Sequence, residues 1–297
     1  MSGPAAAGTV VAAFGRECLV RTEDGRLLQA SVRNRRIQPA CGDRAALGAV
    51  AGGRAVIEAL DPRRSVFLRS SQHRTKVLAA NVTQLVVLVA TEPSFSDELV
   101  CRFLVAAEHA QLPALLVLNK VDLADLRERA LAMLAPFRGP GYPLLELVGK
   151  RDAGPLLPYL AGHRSLLAGQ SGMGKSTLIR TLVPDAAVRI GEISRFLDSG
   201  RQSTTAARLY RVGEESEIVD TPGVSEFGLA GLEARGIAAG FREFAAHAAR
   251  CRFRDCRHLA EPGCGVQRAA DSGIVHPRRL QLYRRIVEQE LAARVER

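Results

Sequence analysis

Gly169-Gln170-Ser171-Gly172-Met173-Gly174-Lys175-Ser176 matches the pattern G-x-x-x-x-G-K-S. Glycines at those places let successive backbone N–H groups curl round a β-phosphate, and a helix opening at Lys175 adds the positive end of its dipole. Lys175 supplies a point charge to the β and γ oxygens. The Ser176 hydroxyl suits Mg2+, and Thr177 follows in the same first turn. By itself the motif says nucleoside triphosphate and nothing narrower.

Two further motifs narrow it. Asp220-Thr221-Pro222-Gly223 follows the apolar run Ile218-Val219. An acidic residue leaving a buried strand beside a phosphate loop can hold Mg2+ through water, and Gly223 can offer an unhindered N–H to a γ-phosphate. Asn119-Lys120-Val121-Asp122 follows the apolar run Leu115–Leu118. Guanine presents two N–H donors on one edge, which the Asp122 carboxylate can accept together, and adenine lacks that pair. Asn119 braces the loop in this reading, and the Lys120 stem covers the base. A helix-capping turn at Asp122 is the plainer alternative. Arg201-Gln202-Ser203-Thr204-Thr205 lies where a mobile switch threonine belongs. Thr204 is the candidate for a second Mg2+ hydroxyl, with Thr205 in reserve.

Cys251, Cys256, His258 and Cys264 fall within fourteen positions. Three thiolates and one imidazole form a closed set suited to one structural Zn2+, a softer donor set than Mg2+ accepts. The other reading is a helix-turn that happens to carry cysteines. Arg250, Arg252, Arg254 and Arg257 interleave with these residues and give the loop a basic surface. Cys18, Cys41 and Cys101 are scattered and read as buried small apolar residues.

Elements must position these groups. Short β-like runs from Thr9 to Leu60, broken by Gly and by Asp24-Gly25, suit a small barrel of the OB type, with a generic β-rich domain as the alternative. A basic connector spans Asp61 to Lys76. From residue 81 to 231, buried strands alternate with helices, which calls for a mostly parallel sheet with helices on both faces. Strands are expected at Leu85–Ala90, Ala114–Leu118, Pro143–Val148, Ser165–Ala168, Arg208–Val212 and Glu217–Val219. Helices are expected at Asp97–Ala110, Leu123–Ala135, Leu156–Leu160 and from Lys175. Residues 232–297 read as a helical region around the cysteine cluster. Residues 1–8 read as a disordered start, residues 9–80 as barrel and linker.

The net charge of +10 is uneven. Residues 1–80 carry 13 Lys and Arg against 6 Asp and Glu, residues 81–231 carry 15 against 17, and residues 232–297 carry 13 against 8. The positive excess therefore sits on the two flanks, where it suits a polyanion such as nucleic acid. High-GC codon bias is the plainer account. No apolar run reaches the length of a membrane span and no signal peptide is evident, so a cytoplasmic protein without a membrane partner is expected.

The order of these motifs, with Asn119–Asp122 ahead of Gly169–Ser176 and then Asp220–Gly223, Cys251-Arg-Phe-Arg-Asp-Cys256-Arg-His258 and Pro262-Gly-Cys264, resembles the RsgA (YjeQ) family of circularly permuted GTPases. The resemblance covers nearly the whole length. It implies an N-terminal OB barrel, a permuted P-loop GTPase centre and a C-terminal zinc domain. It also implies GTP as substrate, GDP as product, and a role in late maturation of the small (30S) ribosomal subunit, whose binding stimulates hydrolysis. Basic flanks would then bind rRNA, and a monomer is expected. Two positions depart from the family pattern. Gln202 and Ser203 stand where relatives often carry His, and Val148-Gly149-Lys150 replaces a usually Ser-rich base-contacting loop. Val224 stands where many GTPases place a water-orienting Gln, so slow intrinsic hydrolysis is expected. Two other classes fit part of the pattern: an RNA-binding assembly factor that uses nucleotide only as an occupancy switch, and a P-loop kinase, against which Asp122 argues.

Overall fold

The computed structural model describes residues 6–34, 36–48, 52–70, 75–184, 207–221, 227–229 and 231–295. Five strands come first: β1 (Ala6–Phe14), β2 (Glu17–Thr22), β3 (Leu27–Val32), β4 (Arg44–Leu47) and β5 (Arg54–Leu60). β1 pairs with β2 and with β4, β2 with β3, β3 in parallel with β5, and β5 with β4, so the ring closes. Alternate residues along β3 are buried, as a half-solvated strand requires. The inward set, including Val10, Val20, Leu28, Ala30, Leu47 and Ile57, forms a core of its own. This is the expected OB-like barrel, entered three residues sooner than the sequence suggested. Ala6, Ala7 and Gly8 belong to β1 and pair with Leu47, Ala46 and Ala45. Their small size explains both the misreading and the fit: a Cβ on Gly8 would sit 2.6 Å from Val20 Cγ1.

The basic connector is not a plain linker. It folds as a two-stranded hairpin of β6 (Val66–Ser70) and β7 (Thr75–Ala80). Phe67 anchors it, 1% exposed and with its ring 5.6 Å from that of Phe227.

The central sheet runs β10 (Leu144–Leu147), β9 (Ala114–Asn119), β8 (Gln84–Ala90), β11 (Arg164–Ala168), β13 (Glu217–Asp220), β12 (Arg208–Arg211). All neighbours are parallel except β12, which runs antiparallel to β13. Every residue of β8 and β9 is buried, the signature of strands covered on both faces. Helices α1 (Asp97–His109), α2 (Ala124–Leu134), α3 (Leu157–Leu160) and α4 (Lys175–Leu182) connect them. α1 starts where Ser96 accepts a hydrogen bond from the Leu99 N–H at 3.2 Å, with Asp97 and Glu98 in its first turn. α3 is only four residues, preceded by a 3-10 turn over Gly154–Leu156.

The C-terminal region holds α5 (Ala234–Ala239), α6 (Ala245–Ala248), α7 (Gly265–Asp271) and the long α8 (Pro277–Val295). Its apolar side chains, among them Phe241, Phe244, Val266, Tyr283 and Ile286, join one continuous core with those of the central sheet. No described helix is long and apolar enough to cross a membrane.

Candidate nucleotide site and metal centre

The three nucleotide motifs meet at the carboxyl edge of the parallel strands, where open α/β sheets bind ligands. β11 delivers Gly169, β9 ends on Asn119 and β13 ends on Asp220. Their β-strands align in register: Leu167 pairs with Asp220, and Ala90 in β8 with Asn119. Small residues then let the loops touch. A Cβ on Gly169 would lie 2.3 Å from the Leu88 carbonyl oxygen. Gly174, at φ +94°, has no room for one either, with Asn119 Nδ2 2.5 Å from where it would sit.

That last contact reflects a hub. Asn119 is 3% exposed, and its Nδ2 donates to the Met173 carbonyl at 2.9 Å. Its Oδ1 accepts from the N–H groups of Lys120 and Gly149, each at 2.9 Å. One amide thus ties together the phosphate loop, its own loop and the loop after β10. Lys120, at φ +61°, spans the same gap on the outside, donating from Nζ to the carbonyls of Glu92 (2.6 Å) and Gly172 (2.9 Å). Asp122 stands exposed beyond it, and among the described residues it pairs with Arg151 at 3.7 Å. A carboxylate so lightly engaged is open to a donor pair from a base. Gly149 is a residue that sequence reasoning left weak, because no Ser marks its loop. Its N–H serves Asn119, and its carbonyl accepts from the Thr181 hydroxyl of α4 at 2.8 Å.

At the phosphate end, Lys175 Nζ donates to the carbonyls of Gly169 and Gln170, both at 2.7 Å. Burial lowers its pKa, with the nearby Asp220 charge pulling the other way. Asp220 is pushed up to about 6 by burial, against the opposing charges of Lys175 and Arg208. Its Oδ1 is buried without a hydrogen-bond partner among the described residues. Such an orphaned carboxylate oxygen is costly unless a cation engages it. Hard oxygen donors from Asp220 and the Ser176 hydroxyl are the chemistry that Mg2+ selects. Thr221 is occupied elsewhere, donating to the Leu167 carbonyl at 2.8 Å. The Gln170 side chain turns outward and accepts from the Ser96 N–H at 2.6 Å, fastening the phosphate loop to the start of α1. Gln202, Ser203, Thr204, Thr205, Gly223 and Val224 lie outside the described residues.

A few residues past Asp220 in the sequence, a second cluster escaped sequence reasoning because its members are far apart in the chain. Arg102 of α1, 8% exposed, donates to the Phe227 carbonyl at 3.2 Å and pairs with Glu290 of α8 at 2.5 Å. Glu290 also accepts from the Leu229 N–H at 3.1 Å. The Phe227 ring packs on Phe103 at 4.9 Å as well as on Phe67.

The cysteine cluster assembles as the spacing suggested. The ligand atoms of Cys251, Cys256, His258 and Cys264 all lie within 4.8 Å of one another. His258 Nδ1 stands 3.6 Å from Cys251 Sγ and 3.4 Å from Cys264 Sγ. Backbone N–H groups of Gly265 and Gln267 point at the Cys251 and Cys264 sulfurs. Gly265 is required here, since its Cβ would fall 2.2 Å from the His247 carbonyl. Three sulfurs and a nitrogen converging on one point suit tetrahedral zinc.

The family model described as RsgA GTPase matches residues 60–230. Proteins named "Small ribosomal subunit biogenesis GTPase RsgA" are similar over nearly the whole chain. The one from Nitrosospira multiformis is 45% identical, covering 97% of this chain and 92% of its own length. The one from Bordetella pertussis is 44% identical, covering 99% of each. Among solved structures, YjeQ from Thermotoga maritima superposes with a TM-score of 0.74 at 29% identity, covering 96% of this chain and 98% of its own. YloQ, described as a circularly permuted GTPase, shares the fold at a TM-score of 0.70 and 23% identity, covering 96% and 95%.

Proposed function

The chain belongs to the RsgA family of GTPases, and from that premise we propose that it hydrolyses GTP to GDP and phosphate in late maturation of the small ribosomal subunit, under stimulation by that subunit. The Asn119 hub carries the nucleotide reading, because it locks a guanine-selective loop to a phosphate loop that the chain reaches only later. Asp122 accepts the paired N–H donors of guanine. The N–H groups of Gly169–Ser176 cradle the phosphates, with Lys175 on the β and γ oxygens and Thr177 beside Ser176. Ser176, Asp220 and Thr204 are the residues that would hold Mg2+, which neutralises charge gathering on the phosphate oxygens. Gly223 donates its N–H to the γ-phosphate. With Val224 unable to orient water, the subunit supplies what the site lacks.

We divide the chain at residues 80 and 231, with the barrel extended back to Ala6. Both flanks bind rRNA through their basic surfaces, the protein acts as a cytoplasmic monomer, and Cys251, Cys256, His258 and Cys264 hold one structural zinc. Because Asp220 lies so close in sequence to Phe227 and Leu229, nucleotide state reaches α8 through Arg102 and Glu290. Equal 30S affinity in the GDP and non-hydrolysable GTP states would remove this coupling.

GTP turnover measured with and without isolated 30S subunits tests the main reading. Turnover by the chain alone should be slow and rise by orders of magnitude with the subunit. Several turnovers per second alone, with no gain from 30S, would refute it. Lys175→Ala should still bind the subunit but fail to cycle.

A further inference from the structure

Resting on the rRNA-binding reading above, we propose that Phe253 is a stacking platform for one unpaired nucleobase of ribosomal RNA. Phe253 is 41% exposed, while Phe241, Phe244 and Tyr283 of the same region are 0–1% exposed. Its exposure is imposed by the loop. Cys251 and Cys256 converge with His258 and Cys264 at the two ends of that loop. The Arg252 N–H donates to the Gly263 carbonyl at 3.1 Å, and the Cys256 N–H to the Phe253 carbonyl at 3.3 Å. A short loop tied this way cannot fold its ring into the core, so apolar surface stays in water at a cost.

The surroundings indicate what covers it. The Arg252 guanidinium lies 5.4 Å from the ring centroid, a cation–π contact on an exposed aromatic. From Arg250 to Arg257 the chain holds four arginines and one acid, Asp255, and all four arginines are exposed. Arginines attract phosphates, whereas an open ring flanked by a guanidinium offers a face on which a base stacks regardless of sequence. A base inside an A-form helix presents only its edges, so the partner is a nucleotide in a loop, bulge or single strand.

The test uses the full zinc-loaded chain, isolated 30S subunits and a non-hydrolysable GTP analogue, with binding titrated at several salt concentrations. Phe253→Leu should bind about tenfold more weakly with the parent's salt slope, since it removes stacking and leaves the phosphate contacts. Arg254→Gln should lower the slope by about one. The chain contains no Trp, so Phe253→Trp introduces a single fluorophore that should keep the affinity and lose emission on binding. Zinc content of each variant reports whether the loop is intact. If Phe253→Leu binds as the parent does while Arg254→Gln loses slope, the platform is overturned and the rRNA reading stands. Unchanged Trp emission at saturating 30S overturns it too. So does quenching by 30S that protein-free 16S rRNA fails to reproduce, which would assign the ring to a ribosomal protein. Salt-independent binding by the parent would remove the reading beneath the proposal and the proposal with it.

Discussion

The two flanks are attached to the central sheet in different ways. The C-terminal helices share its core: Arg279 of α8 is fully buried, pairs with Glu243 at 2.6 Å, and lies 4.4 Å from the Phe241 ring and 5.2 Å from that of Phe137. The barrel keeps a separate core and lends the main one only residues of its outer face, such as Val11, Ala12 and Leu19. Its remaining fastenings are polar. Glu217 of β13 binds Arg21 of the barrel and Arg164 of β11, and Arg164 also donates to the Gly42 carbonyl at 2.8 Å. Broad fusion through a core makes one cooperative unit, whereas a joint of a few apolar contacts and polar links leaves two. The C-terminal region should therefore melt with the GTPase sheet, and the barrel should be able to part from it.

Arg279→Ala presses hardest on this contrast. Removing the buried guanidinium and leaving the part-buried Glu243 without its partner costs about 3 kcal/mol, and calorimetry should show the sheet and C-terminal helices losing stability together. A lone early transition that spares nucleotide binding would break the comparison. Zinc is next. Chelation should release one ion per chain, lower the melting temperature of the shared unit and leave the barrel transition in place, which metal analysis and calorimetry together report.

Asp220→Asn sharpens the other end of that unit. It removes a buried carboxylate charge whose Oδ1 has no hydrogen-bond partner among the described residues, so the nucleotide-free protein should melt several degrees higher while GTP turnover is lost. No rise in melting temperature would mean the carboxylate has a partner. The smallest effect belongs to the polar joint. Burial raises the Glu217 pKa, but the charges and hydrogen bonds of Arg164 and Arg21 outweigh it and hold the carboxyl below its ordinary value. A carboxylate with a lowered folded pKa stabilises the native state above its unfolded pKa, near 4.5, and that contribution fades as pH falls through the folded value. The barrel should loosen in that acid window. Glu217→Gln should loosen it at neutral pH by about 1–2 kcal/mol and flatten the acid response, read by limited proteolysis between residues 60 and 84.

The candidate nucleotide residues were legible because each motif is contiguous: Gly169–Ser176 follow one another, and Asn119 and Asp122 stand three residues apart. The cluster of Cys251, Cys256, His258 and Cys264 was legible for the same reason. Sequence reasoning failed where a role depends on distant partners. Arg102, Glu290 and Phe227 meet only through the fold, and nothing in Val148-Gly149-Lys150 announces that Gly149 serves Asn119. The hairpin at Val66–Ala80 was obscured by its arginines, since charge masked the alternation that buries Phe67. Ala6–Gly8 were missed because small residues suit a crowded barrel strand as well as a disordered tail.

Among the described residues, the pairing of Ala12 with Arg208 joins barrel and sheet into one run of eleven strands. A strand at the margin of a sheet offers unpaired N–H and C=O groups to any other chain that can add to it. Here β1 takes that place beside β12, so the barrel, whatever it binds, also guards the margin of the enzyme domain. A fragment cut to residues 81–231 would expose that row of groups, and such a fragment should self-associate before it loses its nucleotide fold.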